Sequence, residues 1–440
     1  MKWWHIFLIA LAVRFLLLAL LWNQFGDQFY LDTVTGDAPG YLSVGQSIAE
    51  GRGFQYHGIT SALRTPIYPL FLSVFYFFHL PLWLVPVAHD ILGAMTAVLL
   101  TLIGARWFSQ KAGTTAGLLW AFEPYNVFLD NTVMSETLFI FLLVLSLYCF
   151  CRWYDSGRNK FSAITGFVLG TTVLTRPIAP FVLAAVFLFF LILRRGKINL
   201  GKAVISGGVF LAVFSFTIMP WLWRNYRVFG AADFTPVPIN YAFYLRIMPM
   251  AVSIERNVTP SEASLIVDRE LHDKISNFSS TKFDHTFEYV PQLKDEVLVA
   301  LKRHWPVIIT NHLAVLVPGI FVTGWGEFFN YFWPTWNQND PWLTGLLRQG
   351  KYVEALAALG NPFKLISVLG VIVCVYIYWR VLKTVISKRK NSAVWLLMVF
   401  AVLFILLAVQ PPMNVRYRMS SFPFLFLLFG AYEARFKMRT

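Results

Sequence analysis

The chain has 440 residues, of which 57% are hydrophobic and 17% aromatic but only 14% charged. Many apolar runs approach or exceed the roughly 18–20 residues needed to cross a bilayer, which excludes a soluble globular protein and points to a polytopic membrane protein. A formal charge of +14 is of the sign a nucleic-acid partner would need, but the placement of that charge argues against one.

The short connections Arg106–Lys111, Arg152–Lys160, Arg194–Lys202 and Arg380–Lys390, together with both termini, are almost purely basic, with Asp155 and Glu433 as their acids. In the longer connections acids and bases nearly balance. This is the positive-inside pattern: short basic loops in the cytoplasm, long neutral ones outside. It predicts cytoplasmic termini, an even number of spans (about 10–12 by length) and residence in a bacterial cytoplasmic membrane. Cys149, Cys151 and Cys374 fall inside apolar runs and read as small packed residues.

In chain order, Ile6–Trp22 is the first span; it lacks a small-residue cleavage site and reads as retained. Residues 23–66 form the first external loop. Within it, Tyr41, Val44 and Ile48 recur at helical spacing, so the segment between Asp37 and Glu50 is expected to lie along the membrane surface with that face in lipid. Ile67–Phe78 reads as interfacial or re-entrant, and Trp83–Ala105 as the next span. Further spans are expected near Ala112–Phe128, Thr137–Phe150, Phe161–Val173, Ala179–Leu193 and Ala203–Leu222.

The longest hydrophilic stretch, residues 224–304, follows on the external side. In it Thr259-Pro260-Ser261-Glu262 is a capping box with Pro at the first helical position, opening a helix toward Asn277. A second helix is expected over Pro291–His304. Trp305–Phe321 reads as non-spanning, and Gly324–Asn361 as an external aromatic layer. Pro362–Tyr378, Val394–Val409 and Phe422–Tyr432 complete the spans. The whole chain, 1–440, reads as one membrane domain without a soluble C-terminal domain, and Arg14 as its one charge deep in a confident span.

Polar residues gather at the outer ends of these spans. Asp37 and Arg64 stand in the first loop; Glu123, Asp130 and Glu136 lie in FEPYNVFLDNTVMSE. Arg176 follows in a short connection, Arg224 and Asn225 in PWLWRNYRVFG, and Arg416 and Arg418 in NVRYRMSSFP. Charges near hydrocarbon are costly and mostly line a cavity or pathway. Several arginines with two or three carboxylates at one interface read as a phosphate site with an acid or base beside it. Single residues have plainer readings: Asp37 before Ala38-Pro39 suits a helix N-cap, and any one Arg suits a snorkelling anchor.

With these motifs in the order GDAPGYLSVGQSIAEGRGF, RTPIYPLFL, MSETLFIFLL, LTRP, PWLWRNYRVFG and VRYRMSSFPFLF, the chain resembles the GT-C glycosyltransferases of the bacterial family-39 kind, relatives of aminoarabinose transferases and protein O-mannosyltransferases. The resemblance implies an all-α GT-C bundle and transfer of a sugar from a polyprenyl-phosphate carrier on the non-cytoplasmic face. By it Asp37 takes the place of the first-loop catalytic acid, Glu136 that of the second acidic motif, and Arg64 that of the residue beside the lipid phosphate. The chain departs from those relatives at Arg64-Thr65-Pro66-Ile67, where they carry a Glu-Lys-Pro-Pro-like segment.

The chemistry expected of these residues is a direct, inverting displacement. Arg64, with Arg416 or Arg418, would meet the charge developing on a prenyl-phosphate leaving group; Asp37 would accept the acceptor's proton. Tyr41, Glu123, Asp130, Arg176, Arg224 and Asn225 would line the pocket. The first loop has no Asp-x-Asp pair, so no metal or other cofactor is expected; the partners are a polyprenyl-phosphate sugar, a glycolipid, polysaccharide or protein acceptor, and the bilayer. Rival readings are a lipid-linked oligosaccharide polymerase or ligase, and a lipid-linked sugar transporter. The latter would carry related halves with polar residues at mid-membrane on broken helices, and no related halves are visible. The charge pattern makes a topological prediction: cysteines introduced between Arg224 and Arg303 should react with impermeant reagents from the outside. Labelling from the cytoplasm would put the site on the wrong side for this chemistry.

Overall fold

The computed structural model describes residues 1–26, 29–30, 37–177, 200–236, 243–244, 247–274, 286–321, 323–325, 328, 353, 362–408 and 415–432. Among these the architecture is helical, apart from one two-stranded ribbon, β1 (Gln55–Tyr56) paired antiparallel with β2 (Ile59–Thr60) in the first loop. Five helices are long and apolar enough to cross a membrane. They are α1 (Trp3–Phe25), α4 (Leu84–Trp107), α7 (Glu136–Ser156), α9 (Leu200–Phe229) and α13 (Pro362–Ser387). Shorter helices fill the connections: α2 (Ala38–Ala49), α3 (Ile67–Phe77), α5 (Gln110–Phe122), α6 (Pro124–Asp130) and α8 (Asn159–Thr175). The expected span Ala179–Leu193 and most of Gly324–Asn361 lie outside the described residues.

The core sits among α1, α4, α5, α7 and the C-terminal helices α14 (Ser392–Ala408) and α16 (Phe422–Ala431), filled by Trp120, Phe139, Phe404, Phe424 and Phe426. α1 shows how one stripe does this work. Ile6, Ala10, Arg14, Leu17 and Leu21 are buried, whereas Leu8, Phe15, Leu16 and Leu20 stay exposed. Residues three and four apart share a helix face, so Arg14 points inward with the apolar stripe. Two Gly-xxx-Gly pairs bring backbones into contact: Gly113 and Gly117 of α5 lie against α4, and Gly166 and Gly170 of α8 against Phe210 and Thr217 of α9. Without a hydrophobic drive between helices in lipid, such small-residue contacts let dispersion hold the bundle.

Several expected elements differ in the structure. The apolar run Ala112–Phe128 is two helices rather than one. Pro124 lacks an N–H and pushes Glu123 into extended backbone, and the Glu123 carboxylate then accepts a 2.6 Å bond from the Asn126 N–H, capping α6. α2 does not present Tyr41 and Val44 to lipid. Both are buried, with Tyr41 edge-on to Tyr68 of α3 and Gly45 against Leu72; α3 covers the face that the periodicity assigned to the membrane. The expected helix Pro291–His304 and the run after it form one helix, α12 (Val290–Phe321). Asp90, on α4, joins Arg14 as a fully buried charge-bearing residue within a span.

Outside the bundle, α10 (Met248–Arg256), α11 (Pro260–Lys274) and the start of α12 share a small core of their own around Met248, Val252, Ala263, Val267, Tyr289 and Leu293. The capping box at its centre forms as expected: the Thr259 N–H donates to Glu262 at 2.9 Å and the Glu262 N–H to Thr259 Oγ1 at 3.2 Å.

A buried ion pair links α1 to α6. Arg14 Nε donates to Asp130 Oδ2 at 2.7 Å, with the side chains 0% and 1% exposed. Thr137 of α7 donates to the other Asp130 oxygen at 2.7 Å, and Arg14 also bonds the Ala10 carbonyl at 3.1 Å. Gly93 of α4 makes room, since a Cβ there would overlap both charged groups. Arg14→Ala should therefore destabilise the protein by about 3–5 kcal/mol, because it strands a buried carboxylate. Gly93→Ala should also lower the unfolding temperature in detergent; unchanged melting of both variants would mean that the pair does not hold the bundle.

Candidate active site

Asp37 occupies the N-cap position of α2 but does not cap it. Its backbone is already helical and its side chain makes no capping bond. The carboxylate instead turns to two guanidinium groups. Arg64 Nη2 donates to Oδ1 at 2.8 Å, and Arg416 Nη2 lies 2.6 Å from Oδ2. Arg416 comes from α15 (Val415–Arg418), a four-residue helix followed by a 3-10 turn, Met419–Ser421. Its Nε lies 3.2 Å from Glu136 Oε1, at the first position of α7. Arg176, just past α8, meets the same Glu136 oxygen at 2.5 Å.

Two acids and three arginines from five stretches of chain thus form one linked cluster. Burial alone would raise the Asp37 carboxyl, but the Arg64 and Arg416 charges outweigh it and hold the group well below the usual carboxylate range. The acids differ in access: Asp37 is 28% exposed and Glu136 2%.

Aromatic and hydroxyl groups fix the arginines. The Arg64 guanidinium stacks over the Tyr41 ring at 4.5 Å, and Gly40 passes so close to it that a Cβ would lie 3.3 Å from Arg64 Nε. Tyr41 and Ser135 hydroxyls are 3.0 Å apart, and Arg176 Nη1 donates to Ser135 Oγ at 3.3 Å. Tyr417 lies between Arg176 and Arg416, 5.0 and 5.1 Å from them. Behind this layer the Tyr68 hydroxyl and His89 Nε2 are 3.4 Å apart, and His89 Nδ1 is 3.0 Å from the Thr132 carbonyl. The backbone flanking Arg64 is clamped as well. Thr65 Oγ1 donates to the Thr175 carbonyl at 2.9 Å, and Thr235 Oγ1 to that of Leu63 at 3.1 Å.

The remaining sequence candidates are elsewhere. Asp130 is occupied by Arg14 and Thr137. Glu123 caps α6 and accepts from Trp325 Nε1 at 2.9 Å. Arg418, two residues from Arg416, is buried on a different side, with Nη2 3.0 Å from Cys374 Sγ and its guanidinium over Phe422. Arg224 bonds Asn225 at 2.8 Å and stacks near Phe54, Trp221 and Phe229. Asn225 in turn donates to the Asp233 carbonyl at 2.7 Å. That pair braces the first loop against the end of α9 and does not join the acid–arginine cluster.

Ser135, Tyr417, Tyr68 and His89 join the site or its support without having been singled out from sequence. Their signals were adjacency for Ser135 and Tyr417, beside Glu136 and between two arginines, and for His89 its place next to Asp90 in an apolar run. Among the described residues no group of three His, Cys, Asp or Glu side chains comes together. Both acids face guanidinium groups.

Residues 64–223 match the protein family described as dolichyl-phosphate-mannose-protein mannosyltransferase. No curated protein matches the sequence. Among solved structures the fold is similar to that of an oligosaccharyltransferase from Archaeoglobus fulgidus, in a complex with Zn and sulfate. The identity is 15%, the TM-score 0.53, and the match covers 97% of this chain and 48% of that one. The same archaeal protein, AglB, in complex with an inhibitory peptide and a dolichol-phosphate, also matches at 15% identity and TM-score 0.53, over 97% of this chain and 50% of that one. ArnT from Cupriavidus metallidurans bound to undecaprenyl phosphate is 14% identical, with a TM-score of 0.44, over 98% of this chain and 77% of that one. The chain spans about half the length of the archaeal oligosaccharyltransferase. It is a multi-pass membrane protein with the GT-C fold, and its residues 64–223 match the family model.

Proposed function

We propose that this protein is a membrane glycosyltransferase that moves a sugar from a polyprenyl-phosphate donor to an acceptor hydroxyl or amine on the non-cytoplasmic face of a bacterial inner membrane. The observation that carries the reading is the cluster of Asp37 and Glu136 with Arg64, Arg176 and Arg416. Guanidinium groups suit the two-pronged recognition of phosphate oxygens. The GT-C fold and the family match across Arg64, Glu136 and Arg176 support the same reading.

In this mechanism the acceptor oxygen or nitrogen attacks the anomeric carbon from the face opposite the phosphate, and the configuration inverts. The carbon–oxygen bond to the phosphate breaks, and its electron pair leaves with the prenyl phosphate. Arg64 and Arg416 meet that developing charge. Asp37, the more accessible of the two acids, takes the acceptor's proton. Glu136, nearly sealed, keeps Arg176 and Arg416 in place. Arg418, buried against Cys374, anchors α15 and thereby aims Arg416. No divalent metal takes part, and EDTA should leave the rate unaltered.

A lipid-linked oligosaccharide ligase is the second reading, favoured by the fold's likeness to an oligosaccharyltransferase. It shares the site and differs in the size of the donor glycan, so donors carrying one sugar and several sugars distinguish the two.

Asp37→Asn keeps the shape of the side chain but cannot accept a proton. Turnover should fall about a hundred- to ten-thousand-fold while the variant inserts and melts like the parent. Arg64→Lys keeps charge and loses the planar fork, so it should impair transfer less than Arg64→Ala. Full activity in Asp37→Asn, measured with a polyprenyl-phosphate sugar, would remove Asp37 as the base.

A further inference from the structure

Each of the three arginines at the site faces a carboxylate, but the two acids hold them differently. Glu136 is sealed at 2% exposure, and its partners Arg176 and Arg416 are 11% and 6% exposed. Asp37 and Arg64, at 28% and 19%, stand at the open side. One Asp37 oxygen meets Arg64 and the other meets Arg416, at 2.8 and 2.6 Å. Two oxygens of one acid, each against a separate guanidinium, is also the arrangement that two oxygens of a phosphate adopt between arginines. The site's charge points the same way. Three guanidinium groups against two carboxylates leave one positive charge, which the single negative charge of a phosphodiester would neutralise. Unneutralised charge in a poorly solvated site is costly.

We propose that Asp37 is a displaceable counter-ion: a lipid-linked phosphate entering the site takes Arg64 and Arg416 from the Asp37 carboxylate, which then turns to the acceptor. This rests on the reading of the cluster as a phosphate site. It also resolves a tension in that reading, because a carboxylate bonded at both oxygens by guanidinium groups is a poor proton acceptor. Release by the donor makes the base competent only when there is a sugar to transfer. Glu136 stays with Arg176 throughout and keeps the arginine side of the site assembled.

The test is equilibrium binding of a polyprenyl phosphate to the full-length protein in detergent, with the matching polyprenol as control. Removing a competing carboxylate should tighten binding, so Asp37→Asn should hold the phosphate about tenfold more tightly than the wild type, with polyprenol affinity unchanged. Equal or weaker phosphate binding by folded Asp37→Asn overturns the displacement. If the wild type binds the phosphate no better than the polyprenol, the phosphate-site reading itself fails. A second measurement needs no variant: carbodiimide labelling of Asp37 in the wild type, followed by mass spectrometry. Polyprenyl phosphate should raise labelling of Asp37 several-fold, and protection of Asp37 by the lipid overturns the proposal.

Discussion

Arg416 touches Asp37 through Nη2 and Glu136 through Nε, so one side chain spans the two acids. Two carboxylates in so little water would repel each other and drive one to take up a proton. Arg416 between them, with Arg64 and Arg176 on the flanks, lets both be charged at once. α2, α7, α8 and α15 each contribute a member of the cluster or abut one. Close packing at the glycine contacts sets how near the helices approach. Ion pairs among the five charged groups add contacts between the ends of these elements.

The supporting groups extend that constraint rather than duplicate it. Arg64 is bracketed in sequence by two backbone clamps, Thr65 to the Thr175 carbonyl and Thr235 to the Leu63 carbonyl. Its position is thus tied to the end of α8 and to the segment after α9. Tyr41 closes the loop from above by stacking on Arg64 while its hydroxyl meets Ser135, the residue before Glu136.

Much of this was readable in the sequence, because charges in an apolar chain are few and each needs a reason. The one-sided gathering of acids and arginines named Asp37, Arg64, Glu136, Arg176 and Arg416 together with Glu123, Asp130, Arg224, Asn225 and Arg418, and the structure brings the first five together. What the sequence could not reveal was partner choice. Arg416 and Arg418 are two residues apart in VRYR, and only the direction of a four-residue helix sends the first to Asp37 and the second to Cys374. Asp130 read as a pocket residue because its partner, Arg14, lies 116 residues away, beyond any local pattern. The burial of Tyr41 and Val44 shows a related limit: periodicity identifies the apolar face of α2 but not whether lipid or α3 covers it. The break at Glu123-Pro124 was available in principle, since Pro dictates it, but the uniform apolarity around it masked the turn.

The separation of Arg14 from Asp130 has a consequence for biogenesis. The chain emerges from the ribosome N-terminus first, so α1 reaches the membrane well before its counter-charge exists. At typical synthesis rates of about 5–20 residues per second, 116 residues correspond to roughly 6–23 s. For that interval Arg14 is an unpaired cation within an otherwise apolar helix, at an insertion cost of about 2.5–3.5 kcal/mol for a central position. The leucine- and phenylalanine-rich remainder of α1 offsets that cost, and the side chain can snorkel toward a water-facing boundary meanwhile. Once α6 is made, the pair can close beside Gly93. The first helix made therefore waits for the sixth before its charge is met, and a co-translational probe on α1 would see two environments in succession.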